Sequence, residues 1–258
     1  MARRTAPWRY AVGMTTFRAV AMLALCLAWP HAADAQWYVA GYLGANHTLP
    51  ATVTIDQPSR GTSLQFNDVT FEAHPFESPQ YYGVRVGRLF GVRRHFGVEF
   101  EWFHPKVYAQ TARDVLVAGQ FNGTTTNGTL PMNTIVQRYS MSHGMNFALI
   151  NGVARFPLSD DPASMAGRVA VTGRAGAGPM IPHGESEVGG ETVEQYEVAG
   201  IGYQVAGGAT MRLYRGLSAL AEYKFGHASP EITVVDGTGQ TTANLHQVAF
   251  GLAVEFGH

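Results

Sequence analysis

Val248-Ala249-Phe250-Gly251-Leu252-Ala253-Val254-Glu255-Phe256 alternates without a break. Successive residues of a strand point to opposite faces. Val248, Phe250, Leu252, Val254 and Phe256 therefore make one apolar face, and Gln247, Ala249, Gly251, Ala253 and Glu255 make the other. The first face suits lipid, and the second suits the inside of a narrow barrel. The same pattern recurs in segments of roughly ten residues back to Trp37, the signature of a membrane-spanning β-barrel.

Working back from that segment, eight strands are predicted: Trp37 to Thr48, Gln80 to Phe90, His95 to Val107, Ile135 to Phe156, Gly167 to Ile181, Glu194 to Tyr214, Leu217 to His227 and Thr242 to Phe256. The connections alternate in length. Gly91 to Arg94, Pro157 to Ala166 and Arg215-Gly216 are short, whereas Leu49 to Pro79, Tyr108 to Thr134, Pro182 to Val193 and Ala228 to Thr241 are long. Barrels of this class have short periplasmic turns and long external loops, so both chain ends are expected on the periplasmic side. The predicted fold is all-β, an eight-stranded antiparallel up-and-down transmembrane β-barrel.

Ten strands are the main alternative, because Thr52 to Ile55 and Leu64 to Phe71 are β-prone and flank Gly61. The same two stretches could instead form an external hairpin. A soluble lipocalin-like barrel is a more distant rival. Gln120 to Asn133, rich in Gly, Thr and Asn, reads as a solvated loop.

Aromatic residues fall into two belts of the kind that mark membrane interfaces. Trp37, Phe90, Phe96, Phe156, Tyr214 and Phe256 lie near the short-turn end, and Tyr82, Trp102, Tyr139, Tyr203 and Tyr223 toward the other.

Residues 1–35 read as a secretory signal peptide, with Arg3, Arg4, Arg9 and Arg18 as its basic region, Ala19 to Trp29 as its apolar region and Ala33-Asp34-Ala35 as its cleavage site. Residues 36–258 then form one outer-membrane barrel domain starting at Gln36. The apolar run is shorter than the roughly twenty residues a transmembrane helix needs. Cys26 is the chain's one cysteine and lies inside this leader, so no disulfide or thiol chemistry is expected beyond it. Leu25 before Cys26 argues against lipidation.

A formal net charge of -1 becomes more acidic once the four leader arginines are removed, which gives no general attraction for nucleic acid. A mean hydropathy of -0.04 suits a barrel, in which alternate residues alone need be apolar. Many of the 30 glycines fall on predicted strands, among them Gly83, Gly87, Gly97, Gly144, Gly152, Gly176, Gly178, Gly208 and Gly251. A narrow lumen leaves little room for larger side chains at such positions.

Four stretches together resemble a small outer-membrane β-barrel of the outer-membrane protein A type. They are Trp37-Tyr38-Val39-Ala40-Gly41-Tyr42-Leu43-Gly44, Val84-Arg85-Val86-Gly87-Arg88-Leu89-Phe90-Gly91, Leu220-Ala221-Glu222-Tyr223-Lys224-Phe225 and the closing segment quoted above. The resemblance covers essentially the whole of residues 36–258 and bears on architecture more than on function. It implies outer-membrane lipid, including lipopolysaccharide, as surroundings, the barrel-assembly machinery as a partner during insertion, and a monomer. The family usually ends on an aromatic residue, whereas Gly257 and His258 follow Phe256 here.

Strand parity assigns a charged lining to the lumen: Arg85, Glu99, Glu101, Arg138, Asn146, Arg174, Gln204, Arg212, Glu222, Lys224, Gln247 and Glu255. An unpaired buried charge is costly, so these groups are expected to pair into an ionic core. Eight strands leave an interior just wide enough for side chains. Glu99 and Glu101 lack the setting of a glycosidase pair, and no phosphate loop, dinucleotide motif, zinc-protease helix or nucleophile elbow occurs in a supporting context.

His47, His104, His143, His183, His227 and His246 map to the outer third of the barrel or its rim, on separate segments. No metal centre or cofactor is expected from that distribution. Ser140-Met141-Ser142-His143 and His183-Gly184-Glu185-Ser186 supply the residue types of an outer-membrane lipid A deacylase. Parity, however, puts Ser142 toward the lumen and His143 toward lipid, which separates nucleophile from base. The functional expectation is a non-enzymatic outer-membrane protein that anchors surface loops for envelope integrity or external ligand binding. A lipid A-modifying hydrolase and a small-solute channel are the alternatives.

Overall fold

The structure is a computed structural model that describes residues 36–256. The predicted signal peptide with its predicted cleavage site, residues 1–35, and Gly257 and His258 lie outside the described residues. Eight antiparallel strands close on themselves: β1 (Gln36–Thr48), β2 (Tyr82–Phe90), β3 (Phe96–Phe103), β4 (Phe147–Pro157), β5 (Val169–Pro179), β6 (Ile201–Tyr214), β7 (Leu217–Ala228) and β8 (Ala243–Phe256). Sequence neighbours pair around the ring, and β1 closes it against β8 with Trp37 opposite Phe256 and Leu43 opposite Phe250. Closure pairs every edge, which a hydrocarbon environment requires.

Alternation sets the two faces as predicted. Leu43 and Phe250 are 60% and 64% exposed on the outside, while Ala40, Tyr42, Gln247 and Ala249 are buried within. Phe96, Phe156, Tyr214 and Phe256 are exposed near the short-turn end, and Tyr203 and Tyr223 toward the other end. Two strand glycines have a direct packing reason: a Cβ at Gly87 would collide with the Tyr38 ring, and one at Gly83 with the Tyr42 ring. Each tyrosine lies over the glycine opposite it on β2, in register.

The long connections build a β-structured cap instead of loops. One cap sheet runs in the order 128–131, 114–121, 62–69, 51–57, 237–241, 231–234, with 124–125 added beside 114–121. The other runs 191–196, 183–188, 136–141, 107–109, 71–72. Val53, Ile55, Leu64, Phe66, Val117 and Ile232 of the first share one buried apolar cluster with Val107, Val136, Tyr139, Met141 and Val188 of the second. That cluster continues into the barrel mouth through Phe103, Phe147 and Leu149, with the two phenylalanine rings stacked at 4.7 Å.

The expected eight strands are found, and several finer expectations are corrected. Thr52 to Ile55 and Leu64 to Val69 belong to an external hairpin (Ala51–Gln57 and Thr62–Val69), Phe71 starts the edge strand of the second cap sheet, and the barrel has eight strands and not ten. Pro58–Arg60 turns this hairpin, and Gly61 closes it at φ +63°. Gln120 to Asn133 is largely strand, at Asp114–Phe121, Thr124–Thr125 and Gly128–Pro131.

The predicted strand Ile135 to Phe156 is two strands, Val136–Met141 in the cap and β4 in the barrel. Ser142 to Asn146 turns between them, with Gly144 at φ +86° and Asn146 at φ +39°. Gly144 is thus a turn glycine, not a strand one. The predicted strand Glu194 to Tyr214 likewise divides into Glu191–Tyr196 and β6. Tyr139 is buried between the cap sheets and belongs to no lipid-facing belt.

Candidate functional site

The lumen holds three carboxylates and three cations. Glu101 on β3 receives Arg85 at 2.8 Å from β2 and Lys224 at 2.7 Å from β7. It also accepts hydrogen bonds from Tyr42, Asn151 and Gln204. Strands β3 and β7 are diametrically opposite in the ring. The Lys224–Glu101 pair therefore reaches across the full width of the barrel.

Glu99 accepts from Tyr38 at 2.5 Å and Asn151 at 2.9 Å, and Arg174 Nε lies 2.9 Å away. Glu222 is held by Arg85 and Arg174. The Lys224 ammonium also sits 3.6 Å from the Phe103 ring centroid, a cation–π contact. Tyr81 donates to Gln247 at 2.6 Å just above. Opposite charges balance, and several neutral donors fill the remaining carboxylate lone pairs, as an occluded network requires.

Of the predicted lining, Arg85, Glu99, Glu101, Arg174, Gln204, Glu222, Lys224 and Gln247 are buried in the lumen. Arg138 is not: it is exposed on the cap strand Val136–Met141, 3.4 Å from Glu194. Asn146 lies in the turn above the barrel, where its side chain contacts His104 Nδ1 at 2.8 Å and donates to the Ile181 carbonyl. Both misplacements follow from reading 135–156 as one strand.

Glu255 and Arg212 sit at the short-turn mouth, apart from the network. Glu255 pairs with Arg155 at 2.7 Å, and Arg212 donates to the Pro162 carbonyl. Between mouth and network lies a cavity of about 30 Å³ lined in part by Tyr38, Arg155, Arg174 and Glu255, room for about one water.

Tyr38, Tyr42, Tyr81 and Asn151 were missed as members of this network. The signal for the first two is present in parity, because they share a face with Ala40, opposite Val39, Gly41 and Leu43. Counting tyrosine as apolar hides its hydroxyl, which donates to a carboxylate in both cases.

The six rim histidines disperse in part. His47 is opposite His246 in the β1–β8 register, His246 contacts the Tyr223 hydroxyl at 2.5 Å, and His227 contacts Asn244. His143 and His183 do meet, with their Nδ1 atoms 3.1 Å apart. Antiparallel pairing of Val136–Met141 with His183–Val188 places Ser140 opposite Glu185. Glu185 and His183, two residues apart on one strand, thereby share a face under the turn that carries His143. Glu185 Oε1 lies 3.6 Å from His143 Nδ1 and 3.3 Å from His183 Nδ1.

Ser142 Oγ is 3.2 Å from His143 Nδ1, contrary to the parity expectation, because both residues lie in the turn, where alternation does not apply. The contact is not that of a hydrolytic triad. Such a triad needs serine on one imidazole nitrogen and the acid on the other. Here Ser142, His183 and Glu185 all crowd the same Nδ1, and the Ser142 hydroxyl donates directly to Glu185.

A closed eight-stranded barrel with an apolar outer belt and a charged, filled interior defines the chain as a small β-barrel protein of the outer membrane. No protein-family model matches the sequence, and no curated protein matches it significantly. Among solved structures it is similar to Neisserial surface protein A, at 11% identity over 86% of this chain and 99% of that one, with a TM-score of 0.39. It is also similar to the outer membrane protein OprG of Pseudomonas aeruginosa (9% identity, 87% and 97% covered, TM-score 0.43). A third is the outer membrane protease OmpT of Escherichia coli (10%, 88% and 98%, TM-score 0.42). The chain's own strand register, not this likeness, defines its fold.

Proposed function

We propose that the protein is a non-enzymatic outer-membrane anchor of the outer-membrane protein A type. In this reading the plugged barrel holds a folded external cap for envelope integrity or for binding a ligand outside the cell. The observation that carries it is the Lys224–Glu101 pair crossing the lumen beneath a cap whose apolar core continues into the barrel mouth. A channel needs a water column, and these side chains occupy its place. Monomeric insertion into lipopolysaccharide-bearing membrane by the barrel-assembly machinery belongs to the same reading.

Planar-bilayer recordings with purified protein test it. No steady conductance is expected from wild type, and steady single-channel steps would replace the anchor reading with the channel reading. Mass spectrometry of lipid A from deletion and complemented strains tests the non-enzymatic part. Identical acylation is expected, and a shift restored by the gene would overturn it.

A further inference from the structure

We propose that His143, His183 and Glu185 form a binding site for a zinc-like divalent metal ion in the second cap sheet, beside the turn that joins it to the barrel. The three donor atoms form a triangle with sides of 3.1, 3.3 and 3.6 Å. A tetrahedral zinc with ligand bonds of 2.0–2.1 Å has ligand–ligand edges of about 3.3 Å. The triangle therefore has the dimensions of one face of that tetrahedron. Without an ion, two imidazole nitrogens and a carboxylate oxygen converge on one point while at most two Nδ1 protons are available to join them.

Neighbouring side chains hold the Glu185 carboxylate on both oxygens, the donor oxygen included. Ser142 donates to Glu185 Oε1. On the other carboxylate oxygen, Ser140 Oγ lies at 3.5 Å and Arg138 Nη1 at 3.6 Å. Hydrogen-bonded outer partners of this kind orient metal ligands and tune their basicity. The His183 ring packs on Tyr196 at 4.6 Å, which limits its rotation.

Access is built in as well. His183 and Glu185 side chains are 14% and 12% exposed, whereas His143 is 54% exposed. Three protein ligands with one side open leave the fourth position to water or to a donor group from outside the cell. Imidazole and carboxylate together suit zinc, and also copper and nickel, more than calcium or magnesium. The site does not depend on the anchoring role, because a conducting barrel would carry the same three residues.

The test uses untagged, chelator-treated full-length protein in detergent, titrated with Zn2+ by calorimetry and with Co2+ by visible absorption. One ion per chain is expected, with the ligand-field bands of tetrahedral cobalt. His143→Ala and Glu185→Gln should each weaken binding at least tenfold, and His227→Ala should leave it unchanged. Heat-modifiable gel mobility of each variant reports whether the barrel is folded, and a variant that fails is replaced by His183→Gln. Substoichiometric binding, octahedral cobalt spectra, or equal affinity in wild type and folded His143→Ala would overturn the site.

Discussion

The barrel and the cap are built from the same alternating strands, and they turn them in opposite senses. In the barrel Leu43 and Phe250 face out while Glu101 and Lys224 face in; in the cap Val53, Ile55 and Phe66 are fully buried while Asp56 and Asn67 lie toward solvent. Periodicity specifies a strand, but the surrounding medium decides which face is inside. Lipid accepts an apolar exterior and leaves polar groups to satisfy one another within. Water demands the reverse. The comparison implies that one kind of substitution should have opposite consequences in the two halves.

The largest effect is expected inside the barrel. Glu101→Ala removes the shared partner of Arg85 and Lys224, both fully buried. Breaking a buried pair from one side costs about 3–5 kcal/mol, because the remaining charge is left uncompensated. Glu222→Ala should act similarly through Arg85 and Arg174. Thermal unfolding by circular dichroism and heat-modifiable mobility would measure both, and wild-type stability in either variant would mean that the lumen is wetter than these contacts imply.

Next in size is a paired test of the two exteriors. Leu252 on β8 and Leu116 in the cap are comparably exposed, at 51% and 56%. Leu252→Arg should impair insertion by about 2–4 kcal/mol, since the bilayer surrounds it. Leu116→Arg should stay within about 0.5 kcal/mol, as a surface change in water. Membrane yield of the two variants decides. Equal tolerance would remove the bilayer from Leu252, and equal damage would put Leu116 in a buried interface.

How much of this was legible in the sequence follows from the same contrast. Barrel closure and the burial of Glu99, Glu101, Arg174 and Lys224 could be read from parity, because each lies on an uninterrupted strand with apolar neighbours of opposite parity. Of the cap, the hairpin at Ala51–Gln57 and Thr62–Val69 was one of two readings the sequence left open, whereas the second sheet was hidden, since a turn at Ser142 to Asn146 resets the phase within a run that still looks alternating. Arg138, Asn146 and Tyr139 were therefore assigned to a lumen and a belt they do not occupy. The convergence of His143 with His183 and Glu185 was equally hidden. It depends on the pairing of two cap strands more than forty residues apart in the chain, which local pattern does not encode.

A gentler change should separate the halves energetically. Ile55→Val removes one methylene from the fully buried cap core, for about 0.5–1.5 kcal/mol. Hydrogen exchange should accelerate in Ala51–Gln57 and Thr62–Val69 while the β7 and β8 amides keep their protection. Uniform acceleration across barrel and cap would show one cooperative unit instead of two.

The smallest effect is expected where the two cap sheets are tied at their tip. Arg60, in the turn of the first sheet's hairpin, binds Glu191 of the second at 2.5 Å and Asp236 at 2.8 Å. The Arg60 hydrogen bond holds the Glu191 carboxyl below the usual carboxylate range, and Glu191 in turn raises the Arg60 guanidinium. A carboxylate with a lowered folded pKa stabilises above its unfolded value, near 4.3, and that contribution disappears as pH falls through the lowered value. Both partners are solvent-exposed, so water and salt screen the pair. Arg60→Ala should shift melting less than Ile55→Val, and the difference from wild type should shrink in high salt and at acidic pH. A loss larger than that of Ile55→Val, unchanged by salt, would make the tip contact, and not the apolar core, the main bond between the sheets.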